Sequence, residues 1–322
     1  MAKYRNNLPQ LSDRKASGRH RLFLTDGGLE TTLIFHQGFN LPQFAAFDLL
    51  KDAFGYLALV KYFRSYAQLA QKYQVGFILE SVTWRASRDW GAKLNYSPQD
   101  IKAFNYLAIA LLEDIRDEYE NSKTPMVISG CIGSRGDGYN PAELMSEMDA
   151  EHYHTEQIET FAQTNADFIT AMTITYTEEA IGICRAAQKA NIPVVISFTV
   201  ETDGKLPTGQ PLADAIAQVD RATGNAPIYY GINCAHPLHF AHILQGGGDW
   251  LKRIKAIRAN ASIKSHAELD EAEELDDGNP VKLGIQYQKL KTLLPNLNIL
   301  GGCCGTDIRH VEEICKGALT LY

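Results

Sequence analysis

The chain of 322 residues has few cysteines, no long apolar run and no segment rich in basic residues. Six cysteines are too sparse for the disulfide framework of a small secreted domain, so clustered cysteines are expected to bind metal or act in catalysis. No stretch reaches the roughly 20 apolar residues of a membrane span, and residues 1–7 contain no apolar signal core. We therefore expect a cytoplasmic protein that does not enter membranes.

Basic charge is also scarce, with 31 Lys and Arg residues against 38 Asp and Glu residues and a formal net charge of -7. Because no basic stretch is interleaved with aromatic residues, we expect no nucleic-acid partner. Hydrophobic residues make up 45% of the chain, an ordinary globular composition. The expected partners are small molecules, and the sequence also allows a homo-oligomer.

Short apolar runs alternate with longer segments whose apolar residues recur at helical spacing. The helical segments include 56–72 and 100–119, and the second follows Ser97-Pro98, a typical helix start. The apolar runs predict about eight strands. They span 21–26, 75–82, 125–131, 166–174, 193–200, 227–234, 252–259 and 297–302.

This alternation predicts an α/β fold class. Continuous apolar strands separated by helices form a parallel sheet that is covered on its outer face, and eight such units close into a (β/α)8 TIM barrel. A doubly wound open sheet is the alternative. We expect residues 1–20 to form an N-terminal extension and residues 21–322 to form a single catalytic domain.

Three cysteines follow predicted strands, at the barrel end where active sites of this fold lie. Cys234 closes strand six, and Cys303 and Cys304 follow strand eight in segment 301–306, which reads Gly-Gly-Cys-Cys-Gly-Thr. The glycines allow both sulfurs to turn towards one point. Three thiolates leave one position of a tetrahedral zinc open, which is typical of a zinc that activates a ligand, here a thiol. The alternative is that these cysteines are small buried apolar residues.

The other cysteines follow a different pattern. Cys184 and Cys315 lie in helical segments, where packing is the better interpretation, while Cys131 after strand three stays undecided. A structural zinc would need a fourth protein ligand, for which Cys131 or His236 would be the candidates. His236, two residues beyond Cys234, is predicted to border the site and to donate a hydrogen bond to a thiolate. His152 and His154 are expected to be exposed.

Further candidates follow strands one and two. Asp26 would face the same mouth of the barrel, although turn or helix-cap chemistry is an equal alternative. Glu80 and Arg85, with Trp84, are candidates for substrate contact, against the alternative of an ion pair beside a packed indole. The glycine-rich segment 130–138 is a weak phosphate-loop candidate because no helix follows directly, so it is predicted to form a wall of the mouth.

Two irregular segments interrupt the alternation of strands and helices. Segment 201–211 is a loop rich in glycine and proline after strand five, and segment 265–280 is an acidic stretch after strand seven. Either could cover the site, although acidic runs are usually solvated surface.

Three segments together resemble the homocysteine S-methyltransferase family in order and spacing over nearly the whole chain. Residues 26–28 read Asp-Gly-Gly, residues 231–234 read Gly-Ile-Asn-Cys, and the third segment is 301–306; segment 129–133 and Asn260 also resemble the family. The resemblance implies a barrel whose zinc is held by Cys234, Cys303 and Cys304, which act in catalysis through that metal. It also implies a substrate-binding role for Asp26.

The resemblance further implies zinc-dependent methyl transfer to the thiol of homocysteine, giving methionine. Donors in the family are sulfonium compounds, betaine or methylfolate. Because 322 residues leave no room for accessory folate or cobalamin modules, S-methylmethionine or S-adenosylmethionine is favoured. The alternatives are another thiol acceptor, betaine as donor, or, more distantly, a zinc hydrolase on a barrel scaffold.

The chain departs from the family at two positions. Residues 171–173 read Ala-Met-Thr where the family typically has a Glu-Thr pair, so the carboxylate for the homocysteine ammonium is absent, and Glu80 is its predicted replacement. Arg85 stands where the betaine-using branch has an aromatic residue, and it could pair with Glu80 or bind a donor carboxylate. The residues predicted to bind substrate are Asp26, Gly27, Glu80, Arg85, Thr173, Asn233 and Asn260.

Overall fold

Eight parallel strands close into a barrel in the computed structural model, which describes residues 2–12, 21–139, 141, 143–271 and 274–320. Each strand pairs with the next in sequence, and β1 pairs with β8. The strands are β1 (Phe23–Leu24), β2 (Gly76–Glu80), β3 (Met126–Gly133), β4 (Phe168–Ile174), β5 (Val194–Phe198), β6 (Pro227–Asn233), β7 (Ile254–Ala259) and β8 (Ile299–Gly302). The predicted (β/α)8 barrel is confirmed. Seven strands lie within the predicted runs, and β3 extends two residues beyond its run.

Helices cover the outer face of the barrel. The helix α5 begins where Ser97-Pro98 predicts, and the Ser97 hydroxyl accepts a hydrogen bond from Asp100 N at 3.2 Å. The α-helices are α1 (Pro9–Ser12), α2 (Leu29–Thr31), α3 (Ala53–Tyr73), α4 (Arg88–Lys93), α5 (Pro98–Tyr119), α6 (Glu147–Ala162), α7 (Thr177–Lys189), α8 (Leu212–Thr223), α9 (Pro237–Leu244), α10 (His266–Asp270), α11 (Pro280–Leu293) and α12 (Ile308–Leu319). Short 3-10 helices span Pro42–Phe44, Ala46–Lys51 and Asp249–Arg253, and a π-helix spans Thr32–His36.

The interior of the barrel is layered because successive side chains of a strand point to opposite faces. The lower layer is apolar, and its members pack into one buried cluster: Phe23, Ile78, Val127, Phe168, Val195, Tyr229 and Ile299. Two residues further along each strand the inward positions are mostly polar: Thr25, Glu80, Ser129, Thr170, Ser197 and Arg258. The alternation therefore carries Glu80 and Arg258 into the barrel, directly above the apolar layer.

A second core lies between the strands and the helices. It contains Cys184 of α7 and Cys315 of α12, both fully buried. Their predicted packing role is confirmed. Burial raises the pKa of both thiols, that of Cys315 to about 12.

The N-terminal segment packs across the amino-terminal end of the barrel. Tyr4 N donates to Asp167 Oδ1 at 2.6 Å, Leu8 joins the lower apolar layer, and Asn298 Nδ2 donates to Gln10 O at 2.9 Å. The predicted boundary at residue 20 falls in 13–20, outside the described residues, so the division into extension and domain stays a prediction. Within the described ranges, no helix is long and apolar enough to cross a membrane.

Candidate active site

Three cysteine sulfurs converge at the carboxyl-terminal end of the barrel. Cys234 directly follows β6, and Cys303 and Cys304 directly follow β8. All three sulfurs lie within 4.8 Å of one another. The Cys234 and Cys304 sulfurs are 4.0 Å apart, while those of Cys234 and Cys303 are in disulfide contact. The predicted convergence of these three side chains is what the structure shows.

Backbone contacts between neighbouring strands place the cluster. Cys234 has a left-handed backbone, with φ of 53°, which turns its side chain off the line of the strand. Its amide donates to Arg258 O at 3.1 Å, and Cys303 N donates to Ala259 O at 2.8 Å. The backbones of both cysteines are therefore hydrogen-bonded to the last two residues of β7. At Gly301 a Cβ would overlap the Thr25 hydroxyl and lie 2.8 Å from Asp26 O, so glycine is required for this close approach.

The donor set fits a zinc ion when Cys234 and Cys303 are present as separate thiols. Tetrahedral coordination at about 2.3 Å per sulfur places two ligand sulfurs roughly 3.8 Å apart. The 4.0 Å between Cys234 and Cys304 is close to that spacing. Among the described residues, neither Cys131 nor His236 joins the cluster, so no fourth protein ligand for a structural zinc is found there. Cys131 instead lines the adjacent cavity as a buried thiol whose pKa is raised by burial.

Asn233 and Thr173 position Cys234. Asn233 Nδ2 donates to Thr173 Oγ1 at 2.7 Å, and Asn233 Oδ1 accepts from Thr173 N at 3.0 Å and from Ser197 Oγ at 2.6 Å. The Thr173 hydroxyl in turn points at Cys234 Sγ, 3.7 Å away. Asn260 Nδ2 donates to Cys234 O at 3.0 Å. The three predicted substrate residues Thr173, Asn233 and Asn260 thus all contact the cysteine or its immediate support.

Two histidine predictions are wrong. His236 does not contact a thiolate among the described residues: its Nδ1 accepts from Leu238 N at 3.3 Å and caps α9. Burial, and then the neighbouring His239, lower the pKa of His236 to about 4. His154 is buried because α6 packs against α7, and its Nε2 lies 3.0 Å from Glu179 Oε1. His152 is exposed, as predicted.

A cavity of about 220 Å³ opens beside the cysteine cluster. Its walls include the predicted mouth residues Asp137 and Gly138, so the wall role of the glycine-rich segment is confirmed. Segments 201–211 and 265–280 contribute no described residue to these walls. Six of the predicted substrate residues line the cavity: Asp26, Gly27, Glu80, Arg85, Thr173 and Asn233.

A buried ion network crosses the cavity floor. Arg258 Nη2 donates to Asp26 Oδ1 at 2.6 Å, and Arg258 Nη1 lies 3.9 Å from Glu80 Oε2. Tyr62 Oη donates to Asp26 Oδ2 at 3.0 Å, and Gly27 O accepts from Tyr62 Oη at 3.2 Å. The side chain of Asp26 does not cap α2, so the helix-cap alternative does not apply.

Sequence reasoning missed Arg258, although a signal existed. Arg258 is the last of four basic residues in the predicted strand 252–259, and the period of two carries it to the inner face together with Ala256. In a barrel whose active site lies at that end, such a residue is a candidate for the site.

The model of the homocysteine S-methyltransferase family matches residues 23–318. The chain belongs to that family. Betaine–homocysteine S-methyltransferase 1 of Mus musculus is 23% identical over 185 residues, which cover 53% of this chain and 44% of that protein. The alignment therefore spans less than half of the relative.

Solved structures show the same fold. The metallated form of the homocysteine methyltransferase MmuM from Escherichia coli superposes with a TM-score of 0.73 at 16% identity, covering 93% of this chain and 97% of that one. Its oxidized form gives 0.72 at 17% identity, covering 91% and 94%. The predicted resemblance and the enzyme class, a methyltransferase, are confirmed, whereas a zinc hydrolase is not supported.

In this member of the homocysteine S-methyltransferase family, Met172 stands at the position from which the ammonium-binding carboxylate is missing, and it lines the cavity. Glu80, the predicted replacement, lines the same cavity. Burial raises the pKa of Glu80 to about 7, and the charge of Arg258 opposes that rise. Its Oε1 is buried and has no hydrogen-bond partner. Burial also raises the pKa of Asp26, against the opposing effects of Arg258 and Tyr62.

Arg85 is buried between two indoles, and of its two alternatives the ion pair with Glu80 does not form. Its guanidinium carbon lies 3.9 Å from the ring centroid of Trp84 and 3.6 Å from that of Trp90. Arg85 Nη1 donates to Gly136 O at 3.0 Å.

Tyr139 and His266 also belong to the site but were not predicted. Tyr139 Oη lies 3.5 Å from Cys304 Sγ, and its ring stacks on His266 at 4.0 Å. His266 Nε2 donates to Cys234 O at 2.6 Å, and Nδ1 lies 3.0 Å from Glu201 Oε1. His266 of segment 265–280 therefore supports Cys234, and Glu201 of segment 201–211 contacts His266, while no described residue of either segment lines the cavity.

Proposed function

We propose that this protein transfers a methyl group to the thiol of homocysteine, giving methionine, with zinc held by Cys234, Cys303 and Cys304. The convergence of three sulfurs within 4.8 Å beside a cavity carries the proposal. When bound there, zinc supplies the Lewis acidity that keeps a substrate thiol in its nucleophilic thiolate form near neutral pH. A cluster of three protein thiolates leaves room for one such thiol.

The surrounding side chains hold the sulfurs in place. Thr173 donates towards Cys234 Sγ, and Asn233 orients Thr173 through both of its amide atoms. Tyr139 contacts Cys304 Sγ. Hydrogen bonds of this kind fix the direction in which a metal-binding side chain points.

Of the carboxylates that line the cavity, Asp26, Glu30, Glu80 and Asp137, we assign Glu80 to the ammonium of homocysteine. Both Asp26 oxygens already accept hydrogen bonds, from Arg258 and from Tyr62, whereas Glu80 Oε1 is buried without a partner. A buried carboxylate oxygen without a partner is costly, and an ammonium donor would remove that cost. We therefore assign substrate binding to Glu80 and the positioning of Arg258 to Asp26.

A sulfonium compound is the favoured donor. The acceptor sulfur forms the new bond to the methyl carbon as the donor's carbon–sulfur bond breaks, the donor leaves as a neutral thioether, and the thiol proton goes to solvent. The cavity of about 220 Å³ is smaller than the range of about 300–1,000 Å³ that is usual for drug-sized ligands. This size favours S-methylmethionine over S-adenosylmethionine. Betaine, and thiols other than homocysteine, are the alternatives for the assay.

The test is methyl transfer by the purified, zinc-loaded protein. Homocysteine is offered with S-methylmethionine, S-adenosylmethionine or betaine, and methionine is quantified by mass spectrometry. We expect methionine with S-methylmethionine and none from Cys304→Ser, while Cys184→Ser, a buried cysteine outside the site, retains activity. If the wild type forms no methionine with any donor, homocysteine is not the acceptor.

A further inference from the structure

The indoles of Trp84 and Trp90 form a clamp around Arg85, which is an unusual environment for a cation. Trp84 and Trp90 cover both faces of the guanidinium, at 3.9 and 3.6 Å from their ring centroids, and Arg85 is only 6% exposed. Stacking on both faces leaves the edge of the guanidinium plane for hydrogen bonds. Trp84 and Arg85 line the cavity just beyond Glu80, where β2 ends. The clamp therefore presents a fixed, planar cation to whatever occupies the cavity.

Much of the hydrogen-bonding capacity of Arg85 is unused. Nη1 donates to Gly136 O at 3.0 Å, and Nε is buried without a partner. Two carboxylates that also line the cavity, those of Asp137 and Glu30, act on the charge of this guanidinium. Burial lowers the pKa of Arg85 to about 10, and the two carboxylates oppose that decrease. A bound carboxylate would supply acceptors for the donors of Arg85 that remain unused.

We propose that Arg85, held edge-on by Trp84 and Trp90, binds the carboxylate of an amino-acid substrate. The proposal rests on the proposed function, because it states how that site recognises its substrates. A carboxylate is planar and matches the guanidinium edge in a bidentate pair, which an ammonium or a methyl group cannot do. Glu80 and Arg85 line the same cavity, so the site offers opposite charges to a zwitterion. Homocysteine and S-methylmethionine both carry such a carboxylate, and the test separates them.

The kinetic test compares Arg85→Gln, Arg85→Lys and the wild type. Arg88→Gln is the matched control, because Arg88 lies three residues away with a side chain that is 49% exposed. Each protein is assayed with homocysteine against decarboxylated homocysteine, and with S-methylmethionine against its decarboxylated form. We expect Arg85→Gln to raise KM for the carboxylate-bearing substrate by about 10- to 100-fold, with kcat little changed. The KM of Arg85→Lys should lie between those of the wild type and Arg85→Gln, since lysine keeps the charge but lacks the planar edge.

The decarboxylated analogues show whether Arg85 binds the acceptor or the donor. If Arg85 binds the acceptor, decarboxylated homocysteine binds the wild type and Arg85→Gln with equal weakness; if it binds the donor, that behaviour appears with the decarboxylated sulfonium. An Arg85→Gln protein with the same KM as the wild type for both carboxylate-bearing substrates would overturn the proposal. Circular dichroism and thermal unfolding compare its folding with that of Arg88→Gln. Should Arg85→Gln not fold, Arg85→Lys provides the same comparison.

A binding measurement separates this proposal from the proposed function. Methionine and decarboxylated methionine are titrated into the wild type and Arg85→Gln by calorimetry. Carboxylate-dependent binding that is lost in Arg85→Gln supports the subsite even if no methyl transfer occurs. Methyl transfer that proceeds with no dependence on the carboxylate or on Arg85 would retain the function and reject the subsite.

Discussion

Arg258 and Asp26 form a buried ion pair inside the barrel, with 2.6 Å between Nη2 and Oδ1, although 232 residues separate them in sequence. The pair connects the ends of β7 and β1 across β8. Arg258 also donates to Gly302 O at 3.1 Å, next to the cysteine pair. The ion pair therefore links the charged floor of the cavity to the segment that carries Cys303 and Cys304.

Replacing Arg258 should unfold the protein more readily. Arg258→Met leaves Asp26 and Glu80 buried without their cation, which costs about 3–5 kcal/mol in the free energy of unfolding. Urea denaturation measures this loss, and Arg221→Met, on the exposed face of α8, serves as the control. Adding Asp26→Asn should recover part of the loss. If the double variant loses the sum of both single losses, the two residues are not coupled.

Zinc content should depend on the cluster cysteines alone. We expect about one zinc per chain in the wild type, and loss of the metal in Cys303→Ala, because an open site with three ligands needs every thiolate. Cys315→Ala removes a buried thiol of the outer core and should keep its zinc. Elemental analysis of the folded proteins measures their zinc content. Full zinc occupancy in Cys303→Ala would rule out the assigned ligand set.

Glu80→Gln should raise KM for homocysteine. An ammonium left without its carboxylate in a desolvated pocket costs about 1–3 kcal/mol, which corresponds to a rise of roughly 5- to 150-fold. Zinc content should not change, because Glu80 lies outside the cysteine cluster. Steady-state kinetics with S-methylmethionine as donor measure the effect. If Glu80→Gln has the same KM as the wild type, another residue binds the ammonium.

The pKa of Glu80 also predicts a pH dependence of stability. The folded-state pKa of about 7 lies above the ordinary value of 4.5, so between these pH values the folded protein holds a proton that the unfolded chain has lost. Stability from this group is therefore present at pH 4.5 and falls as pH rises to 7. Glu80→Gln should show a shallower decrease in urea denaturation, whereas Glu118→Gln, half-exposed on α5, should follow the wild type. Parallel curves for Glu80→Gln and the wild type would contradict the prediction.

Gly301→Ala tests the close approach of β8 to β1. The new methyl group would overlap the Thr25 hydroxyl, and overpacking of this kind costs about 1–3 kcal/mol. Because β8 leads directly into Cys303, we expect reduced zinc affinity as well. Gly246→Ala is the matched control, since its Cβ would meet Ile243 O at an unstrained 3.6 Å. Thermal unfolding and zinc competition assays compare the two variants, and equal behaviour would mean that β8 can shift without loss.

The barrel and the cysteine cluster could be predicted from the sequence because both depend on local patterns. Apolar runs of strand length between helical segments specify a parallel barrel, and glycines beside Cys303 and Cys304 mark a tight approach at a strand end. The alternation along β2 and β7 even implies which face Glu80 and Arg258 occupy, although only Glu80 was recognised.

Only the tertiary structure decided which side chains meet. Whether Arg258 pairs with Asp26 or Glu80 depends on the register between strands and on the closure of β1 onto β8, which no local pattern encodes. His154 is buried because α6 packs on α7, and His266 reaches Cys234 because the segment after β7 folds back over β6. Sequence periodicity determines the direction of a side chain relative to its own element, whereas contacts between distant elements are determined by how those elements pack.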